Sequence, residues 1–229
     1  MARALSFVFR KVWPDESQVR TWADLFLLDQ VVRQVLEQYG PQIERWNIHR
    51  RWAGGKHEFT FWCWAPEDVG NHVKDSLGAH RGVAELQRAG VVCWEDTVES
   101  LTMDIGDGAW DPILRSCWPQ FIQGISQTLL DLLAQMRGTS QPPRFEDGKG
   151  LGEIETYYSR LEGEVYRVWF RDAAHAFMHM MHEVFGYGCF QAAVGVAGWP
   201  QPATTGTGDF RVFPGHHVLN LIGVAYPRG

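Results

Sequence analysis

Apolar and polar positions alternate from residue 5 to 12, with Leu5, Phe7 and Phe9 on one side, and predict a first strand. Beyond Pro14-Asp15-Glu16 the period changes. Val19, Trp22, Phe26, Val32, Val35, Leu36 and Tyr39 form the apolar face of a helix. Its acidic first turn suits the dipole, and Gly40-Pro41 stops it. Alternation returns over residues 43–52 and 57–64, joined by Gly54-Gly55. A two-residue hairpin turn needs positive φ, which glycine supplies. Phe59, Phe61 and Cys63 fall on one face of the second strand; Glu58, Thr60, Trp62 and Trp64 fall on the other. Pro66-Glu67-Asp68 opens a second helical stretch, interrupted near Gly78 and resumed to Arg88, and residues 90–100 read as a strand.

The order β-α-β-β-α-β predicts an α+β fold: a ferredoxin-like unit with an antiparallel sheet backed by helices. Asp111-Pro112 is an N-cap and first-turn pair opening a short helix that should break at Pro119. A longer amphipathic helix follows over 120–136, closed by Gly138. Residues 138–152, with Pro142 and Pro143, read as a loop; 153–171 as mostly extended; 172–185 as a helix ended by Gly186. We expect one domain, 1–229, with a ferredoxin-like unit at 1–106, a helical segment at 107–137, a loop at 138–152, and C-terminal strands with a His-rich helix at 153–229.

The net charge of −6 argues against nucleic acid as a partner. No apolar run approaches the roughly 20 residues that span a bilayer, so no membrane partner is expected, and no signal peptide is evident. Cys63, Cys93, Cys117 and Cys189 are widely spaced, which fits reduced, mostly buried thiols and a cytoplasmic location. Eleven tryptophans are unusual for 229 residues and point to an aromatic core or to a peptide or aromatic ligand. The hairpin concentrates Trp46, Trp52, Trp62 and Trp64 with His49, His57, Arg50, Arg51 and Lys56, more indole, imidazole and guanidinium than a hairpin requires.

His175, His179 and His182 share one face of the 172–185 helix, with His216-His217 further on. Imidazoles so spaced can ligate one metal ion, but no HExxH and no carboxylate at a telling distance accompany them, so neither metal nor cofactor is expected. Acid–base work suits histidine better, since its ordinary pKa is close to neutrality. The chain has no GxSxG, no P-loop and no GxGxxG after a strand.

Trp46, Arg50, the Gly54-Gly55 turn and His57 together resemble a motif of the lantibiotic dehydratase C-terminal domain, which also occurs alone as the thiopeptide-type bacteriocin biosynthesis domain. That motif is an aromatic strand ending in arginine, a short turn, then a histidine opening the next strand. Residues 106–110 resemble the family's glycine turn, and His179-Met180, His182-Glu183 and Gly186 echo a later helix; the echoes span about residues 20–190. In that family glutamate is eliminated from glutamylated Ser or Thr by strand arginines, a Glu and Arg before the glycine turn, and the helix histidine. Here Phe59 and Phe61 stand where the strand arginines are expected, and Met103-Asp104 lies near the second arginine. A glutamate leaving group would lack its charge partners.

The resemblance then favours the thiopeptide pyridine synthase branch, which joins two dehydroalanines in a formal [4+2] cycloaddition and releases water and the leader peptide. It implies a precursor peptide, leader and dehydrated core, as partner. On that reading His179 is the acid–base group, Arg50 and His57 orient a substrate amide, and Tyr158 and Tyr157 are further proton donors. Trp46, Arg51, Trp52, Trp62, Trp64 and His182 line the peptide. Glutamate elimination, an immunity-like peptide- or protein-binding module, and a metal-dependent hydrolase are the rival expectations.

Overall fold

A computed structural model describes residues 2–12, 20–53, 56–99, 111–138, 140–173 and 176. The chain divides into two compact units, Met1–Val165 and Tyr166–Gly229. In the first, β1 (Arg3–Lys11), β2 (Arg45–Ala53), β3 (Lys56–Ala65) and β4 (Val92–Glu99) form an antiparallel sheet in the order β2-β3-β1-β4. With its helices this is the expected ferredoxin-like α+β unit. Strand alternation gives the sheet its buried face: Phe7, Phe9, Phe59, Phe61 and Cys63 are all fully buried. Each such phenylalanine contributes about 1.5–3 kcal/mol relative to an exposed one.

The first helix is continuous but not regular. α1 (Trp22–Phe26) runs into a π-helical segment, Leu27–Val32, and then into α2 (Arg33–Tyr39), followed by a 3-10 turn at Gly40–Gln42. Asp24 and Asp29 flank the entry to the widened turn. α3 (Glu67–Ala79) and α4 (Arg81–Arg88) are separated at His80, whose Nδ1 accepts from Gly82 N at 3.0 Å and caps α4. Gly82 lets α4 pass close to α1, since a Cβ there would lie 2.7 Å from Phe26 Cζ.

Two expectations fail. α5 (Pro112–Arg137) starts at the expected Asp111 cap but is not broken at Pro119. An interior proline removes one backbone donor, a cost of about 3 kcal/mol, and here α5 continues because its next four turns are anchored. Gln123 Oε1 accepts from Trp46 N at 3.2 Å and Ser126 Oγ from Ile48 N at 3.1 Å, closing the free edge of β2. Leu130 and Leu133 continue that stripe into the core.

Residues 153–171 are not extended. They belong to α6 (Leu151–Val168) and to a π-helical turn at Trp169–Ala173. Ile154, Tyr158, Leu161 and Val165 recur at helical spacing and are buried, and this packing outweighs the extended preference of Tyr157-Tyr158. In the second unit the described residues are the end of α6, that turn, where Arg171 pairs with Asp172 at 2.6 Å, and the helical Ala176. The rest of the helix expected over 172–185 and the strands expected beyond it lie outside the described residues.

Burial of the cysteines is also only partly as expected: Cys63 is buried, but Cys93 and Cys117 are exposed. Burial pushes the Cys63 thiol up to about 12. Among the described residues no helix is long and apolar enough to cross a membrane.

Candidate functional site

The hairpin's Arg50 and His57 meet on one carboxylate. Lys11, at the end of β1, follows Leu5, Phe7 and Phe9 on the helix-facing side of the sheet. Arg50 and His57 reach the same region from β2 and β3, and Asp24 descends onto them from α1. Arg50 Nε donates to Asp24 Oδ2 at 2.9 Å, and His57 Nε2 lies 2.8 Å from the same oxygen. Lys11 Nζ lies 2.5 Å from Asp24 Oδ1 as an ion pair, without well-aligned hydrogen-bond geometry.

A second carboxylate completes the group. Arg50 Nη2 donates to Glu162 Oε1 at 2.7 Å and to Thr21 O at 3.3 Å, and Thr21 Oγ1 donates to Glu162 Oε2 at 2.6 Å. The Lys11 and Asp24 side chains are 0% exposed, whereas Arg50 and His57 keep 20% and 13%.

Burial works to raise the Asp24 carboxyl, but Lys11, Arg50 and the His57 hydrogen bond together hold it well below the usual carboxylate range. Burial pushes the Lys11 ammonium down, against the pull of Asp24. Asp24 is therefore an ionised acceptor. In a neutral His57 the proton sits on Nε2, facing the ionised Asp24. This Asp–His arrangement fixes the ring's tautomer and orientation.

A parallel network surrounds Asp29. Its Oδ1 accepts from Arg33 Nε at 3.0 Å and Arg137 Nη1 at 3.3 Å; its Oδ2 accepts from Tyr158 OH and Gln30 Nε2, both at 2.9 Å. Burial, then the Asp29 charge and hydrogen bond, push the Tyr158 phenol far up. Tyr158 and Glu162 stand four residues apart on α6, so one helix face reaches both networks.

The tryptophans are divided between the two faces of the sheet. Trp46 is buried on the helix-covered face, its ring centroid 6.3 Å from that of Phe61. Trp62 and Trp64 belong to the opposite face, where Trp62 is buried and Arg45 lies over the Trp64 ring at 5.4 Å. The backbone pairs Trp52 with His57 and Arg51 with Glu58. His179 and His182 lie outside the described residues. Tyr157 is half-buried on α6 and carries Arg160 over its ring at 5.7 Å. No group of three or more His, Cys, Asp or Glu among the described residues could hold a metal ion.

Sequence reasoning found Arg50 and His57 but missed Lys11, Asp24 and Glu162. The available signal was a charged residue at an inward position: Lys11 in the strand alternation, Asp24 between Trp22 and Leu25, Glu162 between Leu161 and Val165.

No family model and no curated protein matches this chain. Among solved structures, a dimeric ferredoxin-like protein from an uncultured marine organism aligns at a TM-score of 0.31 and 15% identity, over 46% of this chain and 100% of that one. The crystal structure of TsrL aligns at a TM-score of 0.36 and 13% identity, over 84% of this chain and 54% of that one, so this chain spans about half of its length.

Proposed function

We propose that the protein is an enzyme acting on a ribosomally made, dehydrated peptide, and that it joins two dehydroalanines in a formal [4+2] cycloaddition. The observation carrying this reading is the meeting of Arg50 and His57, the two polar residues of the hairpin motif, on the buried Asp24 carboxylate. The reaction requires one substrate amide to pass from N–H to the iminol O–H form, giving a 2-azadiene that adds to the second alkene. His57, held through Nε2 by Asp24, is the group that would take the amide proton and return it to the carbonyl oxygen. Aromatization then expels water and the leader peptide as its carboxamide. His179 is the further acid–base candidate for those steps.

Glutamate elimination is the weaker reading. Phe59 and Phe61, at the positions where arginines would hold the leaving carboxylate, are fully buried in the core. A peptide-binding module without chemistry is favoured by one observation: Arg50 is engaged by Asp24, Thr21 and Glu162 together.

Incubation with a dehydroalanine-containing precursor, followed by mass spectrometry, separates these readings. Loss of water and leader peptide is expected, and His57→Asn should slow that loss by about a hundredfold or more. An unchanged precursor mass under conditions where the peptide binds would leave the binding module standing and end the enzymatic reading.

A further inference from the structure

On the helical side of the first unit, α2, the α3–α4 junction and the end of α5 surround a cavity of about 480 Å3, walled by four arginines and three carboxylates. Cavities of roughly 300–1,000 Å3 are typical of small-molecule sites.

The charges are unevenly used. At the floor, Arg33 and Arg137 share the single carboxylate of Asp29, which already accepts from Tyr158 and Gln30. One guanidinium charge there is left without a counter-charge. On the wall, Arg144, Glu37 and Glu146 form no ion pair among the described residues. Arg81 is paired with Glu85 outside the cavity at 3.9 Å, so the positive charge open to a ligand is the single one left where Arg33 and Arg137 share Asp29, which matches a monoanion rather than a phosphate dianion. The planar guanidinium fork matches a carboxylate in shape as well as in charge.

We propose that this cavity binds a small carboxylate, held by Arg137 and Arg144, with Glu37 and Glu146 available to an ammonium where the ligand carries one. A free amino acid and a peptide carboxy terminus present the same chemistry. The site stands independently of the peptide chemistry proposed above.

Calorimetric titration of the full chain with glycine, N-acetylglycine and inorganic phosphate tests it. One-to-one binding of glycine identifies a free amino acid as the ligand class; binding of N-acetylglycine identifies a peptide terminus. Arg144→Gln, at an exposed position outside the Asp29 network, should weaken either about tenfold or more while the melting temperature is retained. His80 also lines the cavity, and its NMR titration midpoint should rise when the carboxylate is bound, because a nearby anion favours the imidazolium. Absence of binding by both carboxylates, tighter binding of phosphate than of either, or an unchanged affinity in Arg144→Gln would overturn the proposal.

Discussion

His57 Nε2 lies 2.8 Å from Asp24 Oδ2, the oxygen that also takes Arg50 Nε at 2.9 Å. Two cationic or ionisable groups of the hairpin thus converge on an acid that precedes them by one helix, and Lys11 closes the other side. The hairpin is tied to α1 by charge rather than by apolar contact alone. Buried charge is tolerated only when paired and hydrogen-bonded.

Removing Asp24 should therefore be severe. Asp24→Ala leaves Lys11, Arg50 and His57 around an empty acceptor, and loss of one partner from a buried ionic group costs about 3–5 kcal/mol. Urea denaturation should show that loss. Lys11→Met combined with Asp24→Asn should recover a substantial part of it, because the uncompensated ammonium is gone. A loss below about 1 kcal/mol for Asp24→Ala would mean that the network carries little of the fold's stability.

Acid should destabilise the protein in two separate ranges. Burial, partly opposed by Glu146, lowers the His80 pKa below its ordinary 6.5. The unfolded chain then binds the proton first, so the His80 contribution is intact above about 6.5 and is lost as pH falls through the lower folded value. Asp24 is depressed from 3.8, so its contribution is present above that value and lost further into acid. Denaturation midpoints measured against pH should fall in the first range, and His80→Gln should flatten that range while leaving the more acidic one.

The order of the sheet unit was legible because its signals are local. Gly54-Gly55 marks the hairpin, Asp111-Pro112 caps α5, and the break expected near Gly78 falls at His80, two residues on. α6 was misread because Gly152, Gly163 and the Tyr157-Tyr158 pair argue against helix locally, while burial against the rest of the unit decides for it. The site was half legible for the same reason. Arg50 and His57 stand out within one hairpin, but Asp24 and Glu162 lie 26 and 112 residues from Arg50, and no local pattern joins them.

Gly82→Ala should destabilise the first unit by about 1–3 kcal/mol, the range for overpacking. The added Cβ would lie 2.7 Å from Phe26 Cζ. Phe26 is nearly fully buried and edge-packed on Phe145 at 5.7 Å and Tyr158 at 5.5 Å, so its ring has little room to move. A thermal melt unchanged from the parent protein would show that α4 can slide away from α1.

Thr60→Val runs the other way. Thr60 is 1% exposed on β3, and its Oγ1 has no hydrogen-bond partner among the described residues. Valine has nearly the same shape, keeps the β-branch that suits a strand, and removes a desolvated hydroxyl whose burial costs about 1–3 kcal/mol. Denaturation should show an unchanged or higher stability, and a loss of more than about 1 kcal/mol would mean that the hydroxyl has a partner.

Tyr158→Phe separates support from chemistry on α6. The phenol donates to Asp29 Oδ2 at 2.9 Å and accepts from Gln30 Nε2 at 2.7 Å, while Asp29 also holds Arg33 and Arg137. Removing the hydroxyl deprives a buried carboxylate of one donor, and hydrogen bonds to charged groups are worth about 1.5–3 kcal/mol. The phenol's raised pKa keeps its proton on the oxygen across the neutral range, so the loss should be the same at pH 6 and pH 9. Paired urea titrations of the two proteins measure it. A difference that grows with pH over that interval would show the phenol ionising, and Tyr158 would then be a proton-transfer group rather than a brace for Asp29.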